Sequence, residues 1–174
     1  MQLENSLIDL LKEEQAKLGY MAGEVRLYYP LSSLNHFFQK EYSREEMAEC
    51  LRKLPASLTD KLGEVRVSHK GDRFCFYIPP KGSEYVHEHM KPNEFIKELV
   101  DLLAVHGTTM EEIFSLFEKR GSKIIRQPME GEEFDWLIRF ADSDQDPYYY
   151  CFKDEGCHII YHRFLPEDYK DFGF

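Results

Sequence analysis

The sequence lacks the segments that cross membranes or direct secretion. No apolar run approaches the roughly 18 residues that a membrane-spanning helix requires. The first residues contain no basic segment followed by an apolar stretch, so we expect no secretory signal. The four cysteines are scattered, and no two of them form a CxxC pair. We therefore expect a cytoplasmic protein with reduced thiols and no membrane partner.

The sequence also lacks the short motifs that identify common active sites. It contains no G-x-S-x-G nucleophile elbow and no glycine-rich phosphate loop, and no cysteine stands in a recognisable catalytic context. Its many carboxylates give no sign of one buried and one solvated acid, the contrast that marks an acid–base pair. We expect no cofactor and name no catalytic residue. An active site assembled from distant residues stays open.

The composition is that of a folded chain with an acidic end. Of the 174 residues, 43% are hydrophobic and 14% aromatic, which favours one domain with an aromatic core. The net charge of −10 is concentrated in residues 130–174, where 12 acidic side chains outnumber 4 basic ones. Such a field repels phosphate backbones and favours basic partners or cations. A solvated face that keeps the protein in solution is the simpler interpretation.

Hydrophobic periodicity predicts helices followed by hairpins. A first helix has its apolar stripe at Leu3, Leu7, Leu10, Leu11 and Leu18. Capping boxes at Ser43–Glu46 and Thr109–Glu112 predict two further helix starts. Alternation over 65–78 predicts a hairpin closed by Pro79-Pro80, and a polar linker then runs to Pro92. The pattern predicts an α+β fold in which helices pack against antiparallel β-hairpins.

Two stretches share one plan of helix, capping box, helix and hairpin. Residues 33–79 and 97–140 follow this plan, and a further hairpin occupies 147–164. The matches include Ser43 with Thr109, Gly71 with Gly131 and Phe74 with Phe134. We expect one domain over residues 1–174 and treat an internal repeat as a hypothesis, since caps and alternating strands look alike in unrelated proteins.

A capped helix followed by a hairpin resembles the helix-turn-helix and wing of winged-helix domains. The segment that would enter a DNA groove, 56–62, carries only one acid and one base. Few basic side chains on the first hairpin could meet phosphates: Arg66, His69, Lys70 and Arg73. Nucleic-acid binding is therefore disfavoured, and a winged-helix shape that contacts protein is the better interpretation.

His87-Glu88-His89 is the triplet that most resembles a metal site. On an extended chain both imidazoles face the same way, as a metal requires, whereas on a helix they diverge by about 200°. The polar linker leaves both geometries open, and no third ligand is identifiable. His87 and His89 are therefore weak metal candidates, and surface histidines are the favoured interpretation.

The C-terminal part contains two other ligand-like groups. Cys151, Cys157, His158 and His162 resemble a zinc set in composition. A three-residue turn at 154–156 would pair Cys151 with Ile159 and send the four side chains to different faces, so we expect no metal there. Residues 142–146 open like a calcium loop, but Pro147 stands where glycine belongs and Lys153 where the closing glutamate belongs.

The runs Glu13-Glu14-Gln15-Ala16-Lys17-Leu18-Gly19-Tyr20 and Arg26-Leu27-Tyr28-Tyr29-Pro30-Leu31-Ser32-Ser33-Leu34-Asn35 resemble the N-terminal signature of an uncharacterised bacterial family. That family is a domain of unknown function from Clostridia-type bacteria. The resemblance implies a cytoplasmic bacterial protein without an assigned activity, and it transfers no catalytic residue.

Three hypotheses follow for the function. The leading one is a non-enzymatic module that binds an unknown protein partner or itself, because catalytic signatures are absent while the chain is rich in aromatic residues and ends in an acidic segment. The second is a metal- or small-molecule-dependent enzyme that uses His87, His89 or the C-terminal cysteines and histidines. The third is a winged-helix-like binder of nucleic acid.

Overall fold

The computed structural model describes residues 2–120, 123–130, 133–142 and 146–171. The helices are α1 (Gln2–Leu18), α2 (Leu31–Phe38), α3 (Arg44–Leu51), α4 (Ala56–Leu62), α5 (Pro80–His89), α6 (Glu94–Leu103), α7 (Met110–Lys119) and α8 (Pro166–Asp171). The strands are β1 (Val25–Pro30), β2 (Arg66–Lys70), β3 (Arg73–Ile78), β4 (Ile124–Pro128), β5 (Trp136–Phe140), β6 (Tyr149–Asp154) and β7 (Ile159–Phe164). Two antiparallel sheets accompany the helices, which confirms the α+β class.

The chain groups into two compact units, residues 1–97 and residues 98–174, here called the N-terminal and C-terminal units. The expectation of a single domain over residues 1–174 stays a prediction. The internal repeat also stays a prediction. Phe74 lies within β3, whereas its counterpart Phe134 precedes β5, and Gly131 lies outside the described residues.

A three-stranded antiparallel sheet in the order β1-β3-β2 forms the centre of the N-terminal unit. Period-2 alternation sends one set of side chains into the core, because successive side chains of a strand point to opposite faces. The buried members are Leu27, Tyr29, Phe74, Phe76 and Ile78. The hydroxyl groups of Ser6 and Tyr29 hydrogen-bond at 2.9 Å, so α1 is tied to β1.

The leucine stripe of α1 is buried at one end only. Leu3, Leu7 and Leu11 are fully buried, as the helical spacing predicts. Leu18 is 63% exposed, so the prediction that it belongs to the buried stripe is wrong. The reason is local: Leu18 is the last residue of the helix, and Gly19, at φ 76°, turns the chain away there.

The prediction of a polar linker after Pro80 is wrong, because Pro80–His89 form α5. Pro80 occupies the first turn of the helix, where a missing amide hydrogen costs nothing, so the Pro-Pro pair begins a helix as well as ending a strand. Gly82 brings α5 close to α4: a Cβ there would lie 3.1 Å from the carbonyl oxygen of Leu62. Helix α5 therefore packs tightly against the end of α4.

The C-terminal unit contains a four-stranded antiparallel meander, β4-β5-β6-β7. On one face of the sheet, Phe117 from α7 contacts the rings of Phe140, Tyr150 and Phe152 at centroid distances of 5.4, 5.1 and 6.0 Å. On the other face, Tyr169 of α8 packs against the buried cluster around Leu137 and Cys151. Aromatic packing therefore covers both faces of this sheet.

The predicted register of the last hairpin is wrong. Cys151 lies opposite His162, not Ile159, and Asp154 is the residue that pairs with Ile159. The connecting loop is residues 155–158, closed by a hydrogen bond of 3.0 Å from the Glu155 amide to the His158 carbonyl. Gly156 adopts φ 87° inside this loop, which permits a four-residue turn instead of the expected three-residue one.

Candidate functional site

An open cleft of about 420 Å³ lies in the N-terminal unit. The last turns of α1, the following loop, the start of β1 and the first turn of α5 form its walls. The lining residues are Leu11, Glu14, Gln15, Leu18, Gly19, Met21, Glu24, Val25, Arg26 and Ser83. The side-chain amide of Gln15 donates to the Ser83 carbonyl at 2.8 Å, so α1 and α5 are held together beside it. We call this feature the α1–β1 cleft.

The rim of the α1–β1 cleft exposes apolar side chains. Leu18 is 63% and Met21 is 59% exposed. Tyr20, between them, is also exposed and stacks on the ring of His87 at a centroid distance of 4.5 Å. Single exposed apolar residues are ordinary, but several beside one concave surface are typical of contact sites.

Charged groups at the start of β1 are paired with each other. Glu24 contacts Arg26 at 3.6 Å and Arg66 at 2.5 Å. Both ion pairs are well exposed to solvent and therefore add little stability. They orient the two guanidinium groups over the outer surface of the sheet.

That outer surface carries arginines interleaved with tyrosines, and we call it the arginine–tyrosine face. Arg26 and Arg66 lie over the ring of Tyr77, at 5.4 and 5.3 Å from its centroid. Arg73 lies 6.0 Å from the centroid of Tyr28, a ring that is 51% exposed. Hydrogen bonding to the Cys75 thiol raises the pKa of Tyr28 above its ordinary value of 10.0.

The two histidines singled out by the sequence do not converge on a common point. Both lie on α5, two residues apart, where helical geometry separates their directions. His87 stacks on Tyr20, and His89 stacks on Tyr85 at 5.0 Å. Across the described parts of the chain, no group of three or more histidine, cysteine, aspartate or glutamate side chains is arranged to hold a metal ion.

The C-terminal cysteines and histidines occupy different settings. Burial raises the pKa of Cys151 to about 12, so its thiol stays protonated in the core. Cys157 is exposed on the hairpin loop, with its Sγ 3.1 Å from Nδ1 of His158. The other ring nitrogen of His158 lies 2.8 Å from a carboxylate oxygen of Glu155. This local thiol–imidazole–carboxylate contact was not anticipated from the sequence.

A buried carboxylate organises part of the C-terminal unit. Asp146 accepts hydrogen bonds from the Tyr150 hydroxyl at 2.9 Å and the Tyr148 amide at 3.2 Å, and it pairs with Arg120 at 3.2 Å. Burial raises the pKa of Asp146 above its ordinary value of 3.8. Of the calcium-like segment, residues 143–145 lie outside the described residues. The last acid of that segment, Asp146, is engaged in this network.

Comparison with known protein families identifies the family of this chain. The family described as "Domain of unknown function, E. rectale Gene description (DUF3877)" matches residues 1–173. The chain belongs to this family. The match confirms the resemblance seen in residues 13–35 and extends it over nearly the whole chain. No curated protein and no solved structure matches the chain. No helix among the described residues is both long and apolar enough to span a membrane.

Proposed function

We propose that this protein is a non-enzymatic interaction module and that the α1–β1 cleft of its N-terminal unit receives an apolar side chain of a protein partner. The observation that carries the proposal is the exposure of Leu18 and Met21 on the rim of a concave surface. Burying two such side chains against a partner removes apolar area from water, which is the main driving force of association.

The order of elements supports a winged-helix-like shape for the N-terminal unit. Helix α1, strand β1, helices α2 to α4 and the β2–β3 hairpin follow each other along the chain, with strand order β1-β3-β2. Winged-helix domains share the helix followed by a hairpin, so α4 takes the place of the groove-reading helix and β2–β3 that of the wing. In the C-terminal unit α7 also precedes a hairpin, but β6 and β7 enlarge that sheet.

The surface of α4 favours protein contact over DNA reading. Its exposed positions are Ala56, Ser57, Thr59 and Asp60, none of which is basic. Its one basic residue, Lys61, pairs with Glu4 of α1 at 2.5 Å. A groove-reading helix normally presents several arginine, lysine, asparagine or glutamine side chains. The arginine–tyrosine face favours the third hypothesis, binding of nucleic acid, over the enzyme hypothesis, for which no metal-holding group of side chains occurs in the described parts of the chain. A cytoplasmic location is part of the proposal.

The proposal is tested with a random peptide library displayed on phage and selected on the purified full chain. Selected peptides should bind about tenfold or more weakly to Met21→Glu, because the charge opposes burial of an apolar contact. Val105→Glu is the matched control, since Val105 is an equally exposed apolar residue (57%) of the C-terminal unit. Both variants should melt at the wild-type temperature.

Two outcomes overturn the proposal. One is the recovery of no specific peptide from the library. The other is a set of peptides whose affinity is reduced by Val105→Glu as strongly as by Met21→Glu. A salt-dependent mobility shift of duplex DNA that is lost in a Lys70→Ala, Arg73→Ala variant would favour the nucleic-acid candidate instead.

A further inference from the structure

We infer that the partner of the α1–β1 cleft is an extended peptide segment, in which apolar and acidic residues alternate, that adds to the sheet along the outer edge of β1. This inference rests on the proposed function. It specifies how the partner's backbone is held and which side chains it carries.

Strand β1 is an edge strand of the β1-β3-β2 sheet. The amide of Leu31, which follows β1, donates to the carbonyl of Asp72 at 2.7 Å, in the same register that pairs β1 with β3. Bonded and non-bonded pairs alternate along an antiparallel ladder, so every second residue counted back from Leu31 bonds to β3. The residues between them, Arg26 and Tyr28, therefore direct their amide and carbonyl groups away from β3.

Outside the sheet ladder, the amides of Arg26 and Tyr28 donate no backbone hydrogen bond among the parts of the chain that the structure describes. Both residues are well exposed to solvent. An edge with two outward-directed amide and carbonyl pairs is a template for one more strand, the mode of recognition called β-augmentation. Pro30, which has no amide hydrogen, ends this template at its far end.

The two sides of β1 select different side chains of the added strand. Val25 points to the core side and lines the α1–β1 cleft together with Leu18 and Met21. The arginine–tyrosine face lies on the opposite side of the sheet, with Arg26 on the edge strand itself and Arg73 on the neighbouring β3, opposite Pro30. Because an added strand also alternates, one set of its side chains meets the apolar cleft and the other set meets arginines.

Charge complementarity selects acidic residues for that second set. The arginine–tyrosine face carries the guanidinium groups of Arg26, Arg66 and Arg73, and the first two share the carboxylate of Glu24. Carboxylates of a partner would complete bidentate pairs with these forks. Residues 1–97 have 14 basic and 15 acidic side chains, so the unit as a whole does not repel an acidic segment strongly.

The probe is a six-residue synthetic peptide alternating leucine and glutamate, equal in length to the six residues of β1. Two further versions carry N-methyl groups on either the odd or the even amides. Only one of these two sets of amides faces β1 in any register. The version methylated on that set should bind about tenfold more weakly, because it loses one or two backbone hydrogen bonds. The other version should bind as tightly as the unmethylated peptide. Hydrogen exchange of the Arg26 and Tyr28 amides should slow on binding.

A lysine-for-glutamate peptide tests the charge. It should bind at least about tenfold more weakly than the glutamate peptide. Arg26→Ala should reduce that difference in affinity, whereas Arg52→Ala, at the exposed C-terminal end of α3, should leave it unchanged. Equal binding of the two peptides overturns the acidic preference. If the protein binds single-stranded DNA and Arg26→Ala abolishes that binding, the partner is a nucleic acid and the peptide assignment is overturned.

The outcomes separate this inference from the function on which it rests. Library-selected peptides could require Met21 for binding, tolerate both N-methylation patterns and leave the Arg26 and Tyr28 amides unprotected from hydrogen exchange. That result overturns the added strand but not the proposed function. Protection that appears on raising the protein concentration alone, without peptide, overturns the inference because a second copy then occupies the edge. Failure of every peptide to bind overturns both.

Discussion

The two units use their sheets differently. The N-terminal unit buries one face of its sheet and leaves arginines and tyrosines on the other, beside an edge strand and a cleft with an apolar rim. The C-terminal unit covers both faces of its sheet with aromatic rings, and its buried Asp146 accepts a hydrogen bond from the Tyr150 hydroxyl. It also holds 17 acidic side chains against 8 basic ones. The exposed apolar rim and the arginine–tyrosine face therefore belong to the first unit, and the sheet packed on both faces belongs to the second.

The largest expected effect concerns the aromatic core of the C-terminal unit. Phe117→Ala should reduce the free energy of unfolding by about 3–5 kcal/mol, because the ring is fully buried among three others. Urea unfolding followed by circular dichroism measures it. Leu18→Ala, in the exposed cleft rim, is the control and should change stability by less than about 0.5 kcal/mol.

The same unfolding experiment tests the single-domain prediction. A single cooperative domain gives one transition that Phe117→Ala moves as a whole. Two separate transitions, of which only one moves, would contradict that prediction and would make the two units independent domains.

The next effect distinguishes a structural role for Asp146 from a ligand-binding one. Asp146→Ala should cost about 2 kcal/mol, because the Tyr150 hydroxyl and Arg120 lose their buried acceptor. Thermal or urea unfolding measures it. An unchanged stability would mean that the carboxylate is held in place for some purpose other than folding.

The pH dependence of this carboxylate has a defined sign. Burial raises the pKa of Asp146, so the native protein holds that proton more tightly than the unfolded chain. The stability of wild type relative to Asp146→Asn should therefore fall as the pH rises from the ordinary value of 3.8 through the native-state pKa. Asp135→Asn is the opposite control, because the Lys153 ammonium and the Asp154 amide lower the pKa of Asp135. Its contribution should be lost as the pH falls through the lowered value.

A third effect tests how closely α5 packs in the N-terminal unit. Gly82→Ala should cost about 1–3 kcal/mol, since the added methyl group would crowd Ile78 and the Leu62 carbonyl. Gly23→Ala, where a Cβ would meet nothing within 4 Å, should be close to neutral. Denaturant midpoints compare the two variants. Equal midpoints would show that α5 shifts easily and that the cleft wall it forms is not rigid.

The smallest effect compares the two capping boxes. Ser43→Ala and Thr109→Ala should each cost about 1 kcal/mol, because each side chain accepts the amide of the third helical residue. Their partner glutamates, Glu46 and Glu112, have lowered pKa values through bonds to the cap amides. That contribution should be lost as the pH falls through the lowered values. Markedly unequal losses would show that the two boxes support their units to different extents.

Local patterns made part of this fold predictable. The capping boxes and alternating strands are short-range signals, and both appear where the sequence placed them. Helix α5 was missed because Pro-Pro and a polar composition are typical of linkers as well as of helix starts. The last hairpin was misregistered because loop length depends on the conformation of Gly156, which the sequence does not specify.

The candidate site was less predictable because its parts are distant in sequence. Leu18 had the spacing of a core residue, and only the turn at Gly19 reveals that it is exposed. The cleft gathers α1, β1 and the first turn of α5, and Ser83 lies in the segment that sequence reasoning assigned to a linker. The Asp146 network joins α7 to the final sheet across 26 residues, and no short motif encodes such a contact.

The most direct test of the central claim is a titration of the ¹⁵N-labelled full chain with a library-selected peptide, followed by amide chemical-shift mapping. We expect the perturbed amides to cluster in residues 11–28 and around Ser83, with Arg26 and Tyr28 among the most affected. Perturbations centred in residues 98–174, with the β1 edge and the cleft unchanged, would contradict it.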